Sequence, residues 1–377
     1  MAEQKILSAD NDYKELDEYL KAGGHKRILL VCGSSIKYLK LDVYFQTLER
    51  RTGIKVVRFS GFNPNPLYES VAEGVKLFRS ADCSMIIAVG GGSAIDTAKC
   101  IKLYSNMDDK KNYLEQKIIP NETELVAIPT TAGTGSEATR FAVIYYNGEK
   151  QSVSDDSCIP AAALMDASLL ETLPVYQKKA AMLDAFCHAL ESFWSVNSTK
   201  ESRQYAKEAI QLILTNMDGY LTGQHTEAAQ MLQASNLAGK AINISQTTAG
   251  HAMCYKLTSL YKIAHGHAAA LCVRKLWPYM IENIDNCTDP RGRKYLQNIF
   301  QEMAETMGYP TSIEAAGKFH AVYDKLGLSV PAYEETDINI LKASVNPVRL
   351  KNNPVALTEN DIEILYRQIL RKEEKQL

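Results

Sequence analysis

Between residues 27 and 128, short apolar runs rich in β-branched residues alternate with amphipathic helical patterns. No other feature of the chain restricts its fold as much. RILLVC (27–32), Ile54–Phe59, SMIIAV (84–89) and Leu125–Ile128 read as strands. Helical periodicity fills the gaps, through about Arg51, at Val71–Phe78 and at Ala94–Tyr104, with Pro66 expected to open the second of these. The strand runs are continuously apolar and do not alternate, so both of their faces must be covered. That predicts a parallel sheet with helices on each side.

The pattern changes after residue 140. FAVIYY, Asn147-Gly148 and EKQSV form a hairpin signal. Beyond Val175 the chain reads as helical at Ala180–Ser195, Glu201–Tyr220, Thr226–Ile242, Gly266–Asn283, Lys294–Met307 and Asp361–Lys372, with a solvated Lys/Glu-rich end. A boundary at Pro174 therefore predicts an α/β domain over 1–174 and an all-α domain over 175–377. A formal charge of −2 and the lack of Lys/Arg-rich runs argue against nucleic acid. No stretch reaches the ~18 apolar residues of a membrane span, and residues 1–20 have no apolar signal core. The eight cysteines show no C-x-x-C pair, which fits reduced thiols and a cytoplasmic location.

Two loops invite a nucleotide. Gly90-Gly91-Gly92-Ser93 lies between a strand and a helix, where close backbone approach, free N–H groups and the helix dipole favour a phosphate. Ser93 is expected to cap the helix or bind phosphate, and Asp96 to lie in its first turn. The spacing is not G-x-G-x-x-G, so a plain strand-to-helix turn is the alternative. Pro129 to Ser136 (PTTAGTGS) adds hydroxyls and glycines at the end of another strand, the side where open α/β sheets bind ligands.

In the helical half, Asp184 and His188 are four apart and would share a helix face. His251 and His265 are fourteen apart, and a bend between them would bring both rings to one point. One carboxylate and three imidazoles suit Zn²⁺ or Fe²⁺. Taken singly, each residue is equally well read as a satisfied core or surface side chain.

GGGSAID (90–96), PTTAGTGSE (129–137), LDAFCHALES (183–192) and GHAMCY…AHGHA (250–268) together resemble the iron-containing (group III) alcohol dehydrogenases. The matches come in family order and span about residues 25–280. The resemblance implies the dehydroquinate synthase-like fold, with the active site between a dinucleotide-binding α/β domain (1–174) and a helical metal-binding and substrate domain (175–377). It implies metal ligation, and catalysis through the metal, by Asp184, His188, His251 and His265. For the cofactor it implies Gly91, Gly92, Ser93 and Asp96 at the pyrophosphate, Thr130, Thr131 and Thr134 around it, and Lys150 on the hairpin. With all four ligands in place the chain is unlike the metal-free maleylacetate reductase branch.

Three departures refine the expectation. Tyr255 stands where many members carry a further histidine, so Tyr255 and His267 become candidates for proton delivery. Gly33 ends the first strand where NAD-using members often have Asp, which permits NADPH and inclines the cofactor expectation from NAD(P)H toward it. Lys240 replaces an uncharged residue, and with Arg140, Lys256 and His267 it suggests an anionic substrate. The segments GKAINIS, HAMCYKLT and HGHAAAL are similar to a branch that reduces phosphonoacetaldehyde to 2-hydroxyethylphosphonate. The expected activity is aldehyde reduction with NAD(P)H and Fe²⁺ or Zn²⁺, by a homodimer or larger homo-oligomer. Alternatives are a dehydrogenase of neutral short-chain alcohols or diols, a dehydroquinate-synthase-like lyase, or a non-catalytic nucleotide- or metal-binding protein.

Overall fold

A computed structural model of the chain describes residues 4–9, 12–345 and 347–372. It divides into two compact units, Met1–Leu173 and Pro174–Leu377. The first contains β1 (Lys5–Ser8), α1 (Lys14–Ala22), β2 (Arg27–Cys32), α2 (Lys40–Thr52), β3 (Lys55–Phe59), α3 (Tyr68–Ser80), β4 (Met85–Gly90), α4 (Gly92–Tyr104), β5 (Glu124–Pro129), β6 (Phe141–Tyr146), β7 (Glu149–Ser154) and β8 (Ala162–Met165).

Six of these strands form one parallel sheet in the order β1-β8-β5-β4-β2-β3. Its central strands read as unbroken apolar runs because alternate residues feed two different cores. Leu29, Val31, Ile86, Ala88, Leu125 and Ala127 pack with Val71 and Val75 of α3 and Ile95, Ala98 and Ile101 of α4. Ile28, Leu30, Met85, Ile87, Val89, Val126 and Ile128 pack with Leu16 and Leu20 of α1 and with Leu41, Phe45 and Leu48 of α2. Full burial of each Val, Leu, Ile, Phe or Met side chain among these contributes ~1.5–3 kcal/mol, so the two-sided pattern commits the strands to the centre. β6 and β7 form a separate antiparallel hairpin, and Asn147 and Gly148 at its turn both have positive φ (52° and 78°). Pro66 does not open α3. Leu67 is the N-cap, and the Pro66 carbonyl instead accepts from Tyr145 N at 2.8 Å, which fastens the hairpin to the loop before α3.

The second unit contains α5 (Val175–Trp194), α6 (Lys200–Leu221), α7 (His225–Ser245), α8 (Ala249–Tyr261), α9 (His265–Glu282), α10 (Arg293–Thr306), α11 (Ser312–Lys325), β9 (Ala332–Tyr333), α12 (Glu335–Ala343), α13 (Pro347–Leu350), α14 (Glu359–Ile369) and β10 (Arg371–Lys372). Every residue of α5 from Met182 to Trp194 is buried, so this helix is covered all round and forms the centre of the unit. It packs on α6, α7 and α9. Two left-handed residues make the corners around it, Gln246 (φ 59°) after α7 and Lys262 (φ 53°) after α8. The expected final helix stops at Ile369, and Arg371–Lys372 pair with β9. The Lys/Glu-rich end lies from residue 373 on, outside the described residues. Among the described residues no helix is long and apolar enough to cross a membrane.

Candidate functional site

In the first unit, strand order decides where a ligand fits. β2 leads through α2 to β3 on one side, and the chain then returns through α3 to β4 on the other side of β2. The direction of winding therefore reverses between β2 and β4, which opens a crevice at their carboxyl ends. Cys32 pairs with Val89, so Gly33 and Gly90 leave the sheet side by side, and Gly90 in turn pairs with Pro129. Gly33 is extended (φ −78°), and a Cβ added there would meet nothing nearer than Ser35 Oγ at 3.9 Å among the described residues, so the spot beside it is open.

The two glycine-bearing loops touch. A Cβ on Gly91 would meet Thr131 at 3.2 Å, and one on Gly92 would meet Thr134 at 3.1 Å. Thr130 N donates to the Gly90 carbonyl at 3.1 Å. Glycine at 91 and 92 lets the two loops pack this closely at the start of α4, where helix amide groups favour a pyrophosphate. The residues present fit a dinucleotide.

Two expectations about this helix need correction. Gly91, not Ser93, is the N-cap of α4; the Ser93 hydroxyl accepts from Asn65 N at 3.4 Å. Asp96 lies beyond the first turn and is half-buried, with its oxygens accepting from Ser136 Oγ (2.6 Å) and Val143 N (3.0 Å). It ties the second loop to the hairpin. Lys99, which the sequence does not single out, completes the fastening. Its Nζ is buried and donates to Ser136 Oγ, Thr139 O, Thr139 Oγ1 and Phe141 O at 2.7–3.2 Å. Burial raises the Asp96 pKa and lowers that of Lys99, each opposed by the partner's charge. Lys150, half-buried on β7, adds its positive field at Asp96.

In the second unit, Asp184 and His188 project from one face of α5, His251 comes from α8, and His265 is the first residue of α9. Asp184, His188 and His251 are buried and offer ligand atoms that all lie within 4.8 Å of one another. The His188 and His251 rings stack at 4.5 Å. His265, with a more exposed side chain, approaches through Nε2 at 4.0 Å from Asp184 Oδ1. The close approach of α9 depends on Gly266, where a Cβ would meet the Ala180 carbonyl at 2.1 Å.

Glu191, one turn past His188 on α5, is a site residue that the sequence reading misses. It is fully buried. Its Oε1 accepts from Thr248 N (3.0 Å), Thr248 Oγ1 (2.6 Å) and His251 N (3.2 Å), while Oε2 takes the hydrogen of His251 Nδ1. That hydrogen bond leaves the lone pair of His251 on Nε2, 3.5 Å from Asp184 Oδ1. Neither atom has a hydrogen-bond partner among the described residues. Burial opposes charging of His251, but Glu191 and Asp184 raise its pKa to about 9, so in the metal-free site a proton fills the gap between these two atoms, and a divalent cation would take its place. Ligand atoms held at ~2.0–2.2 Å from one ion sit roughly 3–4 Å apart, so the spacing and the donor set fit a divalent metal. Burial opposes ionisation of Asp184, but His188, His265 and His251 hold its carboxyl well below the usual range. The only sequence sign of Glu191 is its i+3 spacing from His188.

Tyr255 stacks its ring on His265 (5.5 Å between centroids, 13° between planes), and burial pushes its phenol pKa up. The other expected polar residues are placed differently. His267 is buried with Nδ1 on Tyr176 OH (3.2 Å) and Nε2 on Tyr323 OH (2.9 Å), and burial lowers its pKa. Both ring nitrogens are engaged by tyrosine hydroxyls, and burial disfavours the charged ring. Arg140 belongs to the first unit and pairs with Asp156 at 3.3 Å. Lys240, on α7, lies 5.9 Å over the Tyr205 ring of α6, and Lys256 is half-buried on α8.

Comparison with known proteins agrees with both halves. The family model for iron-containing alcohol dehydrogenase matches residues 3–167, and the model for the C-terminal region of the Fe-containing alcohol dehydrogenase family matches 178–370. The chain is 31% identical to 1,3-propanediol dehydrogenase of Klebsiella pneumoniae, covering 81% of this chain and 79% of the relative. It is 30% identical to phosphonoacetaldehyde reductase of Streptomyces viridochromogenes, over 72% and 71%. The solved structure of sulfoacetaldehyde reductase from Bifidobacterium kashiwanohense in complex with NAD⁺ is 25% identical, covers 97% of this chain and 96% of its own, and superposes with a TM-score of 0.85. Strand order, the two loops and the buried donor set therefore have a common explanation: the chain belongs to the iron-containing alcohol dehydrogenase family.

Proposed function

We propose that this protein is a metal-dependent NAD(P)H-linked reductase of a short aldehyde bearing a terminal phosphonate or comparable anion. Residues 1–174 would hold the cofactor and 175–377 the metal and substrate. The observation that carries the chemistry is the buried cluster of ligand atoms, in which Asp184 Oδ1 faces His251 Nε2 at 3.5 Å with neither in a hydrogen bond among the described residues. A divalent ion held by Asp184, His188, His251 and His265 would supply electrophilic polarisation of the aldehyde oxygen, and the nicotinamide would supply the hydride. The chain's own groups provide the rest. Glu191 orients His251, while Gly91, Gly92 and the Thr130–Thr134 loop receive the pyrophosphate. Tyr255, kept protonated by burial and stacked on His265, would be the group to supply a proton to the developing alkoxide.

The anionic substrate is supported by two relatives whose names specify phosphonate and sulfonate aldehydes. A neutral alcohol or diol is the second reading, favoured by the similarity to 1,3-propanediol dehydrogenase. Gly33 itself brings no carboxylate to repel a 2′-phosphate where NAD-using members often have Asp, which supports NADPH. Iron is the ion indicated by the family, and zinc would suit the same donors. A cytoplasmic homo-oligomer is proposed, in keeping with the free cysteines.

The test is NADPH and NADH oxidation by Fe²⁺- or Zn²⁺-loaded protein with phosphonoacetaldehyde beside propanal. A preference for the phosphonate of about a hundredfold or more in kcat/KM, about 2.7 kcal/mol, is expected. Equal or better use of propanal would establish the neutral reading. Turnover without net NAD(P)H consumption would instead indicate lyase chemistry.

A further inference from the structure

The corner between α7 and α8 carries a second polypeptide segment. Asn352, just after α13, donates through Nδ2 to the Thr247 carbonyl (3.1 Å), and its own carbonyl accepts from Val196 N at 3.1 Å. Its Oδ1 also accepts from Asn197 Nδ2 at 3.0 Å. These bonds hold α13 against residues 246–248, which lie just before His251. On α13, Arg349 donates through Nη1 to Thr247 Oγ1 at 3.4 Å, and its guanidinium lies 5.5 Å from the centre of the Tyr255 ring. Tyr255 in turn stacks on His265, whose Nε2 lies 4.0 Å from Asp184 Oδ1. A half-exposed guanidinium is thus fixed one aromatic ring away from the metal-ligand set.

We infer that Arg349 is the residue that binds the anionic end of the substrate. This rests on the proposal that the substrate is an anionic aldehyde, and it moves the recognition from Lys240 to α13. The chemistry favours Arg349 on two counts. A guanidinium is planar and weakly hydrated, and its forked N–H edge binds tetrahedral oxyanions in pairs of hydrogen bonds. An aldehyde with its oxygen at the metal ligands would extend its phosphonate past the edge of the Tyr255 ring, the ring that Arg349 and His265 both contact. Lys240, by contrast, is held over Tyr205 of α6.

The experiment measures kcat/KM of metal-loaded wild type, Arg349→Met and Arg349→Lys with phosphonoacetaldehyde and with propanal, together with inhibition by 2-hydroxyethylphosphonate and the NADPH Kd. Arg349→Met should lose about a hundredfold on the phosphonate, mainly in KM, and less than about threefold on propanal. Inhibition by the phosphonate alcohol should weaken in parallel, with NADPH Kd unchanged. Arg349→Lys should recover part of the loss, because it restores charge without the fork. Equal losses on both aldehydes in both variants would assign Arg349 to holding α13 and overturn the inference. A wild-type preference for the phosphonate that survives in Arg349→Met would overturn it and leave the anionic reading intact. Absence of that preference in the wild type would remove both.

Discussion

Glu191 Oε2 takes the Nδ1 hydrogen of His251, and this one contact decides which ring nitrogen faces Asp184. Carboxylate partners of this kind typically affect metal affinity by 10–100-fold. Glu191→Gln keeps the shape and most acceptor contacts but removes the charge, and its amide can present N–H to the ring. Metal retained after dialysis should fall, with metal Kd raised about 10–100-fold, while far-UV circular dichroism and NADPH binding stay as in wild type. Unchanged metal affinity would reduce Glu191 to a helix tie between α5 and the α7–α8 corner. At this scale the sequence is legible where spacing alone decides. Asp184 and His188 share a helix face by the four-residue rule, and the two glycine loops follow strand ends. It is not legible where tertiary contact decides. Nothing local marks Lys99 as the fastener of four loop acceptors, or His267 as a packing residue with both nitrogens committed.

Elements carry these residues only if they approach closely enough, and α9 is the demanding case. Its second residue, Gly266, faces α5 so closely that a methyl group would fall 2.1 Å from the Ala180 carbonyl and 2.6 Å from Asp184 Cβ. Backbone cannot yield as a flexible side chain does, so Gly266→Ala should destabilise the protein by about 1–3 kcal/mol and shift His265 away from Asp184. Gly317→Ala on α11, where nothing among the described residues lies within 4 Å of the new methyl, should instead stabilise by about 0.4–1 kcal/mol through helix propensity and unfolded-chain entropy. Urea denaturation of both variants measures the pair, and a neutral Gly266→Ala would mean that the α5–α9 spacing is not what positions His265. Element patterns are legible for the strands of the sheet, whose two-sided burial leaves unbroken apolar runs. They are weak for β1, where only Leu7 is buried, and for α11, whose buried stripe includes Ala315 and Ala316. Short edge strands and alanine-containing stripes carry too little hydrophobic contrast to stand out from loops.

Across the whole molecule, the features proposed to bind nucleotide all fall before Pro174, and the proposed metal ligands all fall after it. The change from buried strand runs to period-3.6 helices is what makes this division readable, since each unit builds its own core from its own pattern. A chain organised in this way should respond separately to its two ligands. Removing the metal with a chelator should abolish aldehyde reduction and lower stability by RT ln(1 + [M]/Kd), about 2.7 kcal/mol where the free ion stands at a hundred times Kd. The same treatment should leave the NADPH Kd within about threefold of its value before chelation, because no proposed nucleotide contact involves a metal ligand. Asp184→Asn should reproduce both effects without a chelator, since a neutral amide removes the charge that a divalent ion requires. Calorimetry with and without metal, combined with NADPH fluorescence titration, reads the two responses in one preparation. Loss of NADPH binding on chelation would contradict the division, and would mean that the ion also orders the loops at Gly90–Ser93 and Thr130–Thr134. Activity that survives in metal-free Asp184→Asn would remove the ion from the chemistry, leaving the buried donor set as a structural polar network.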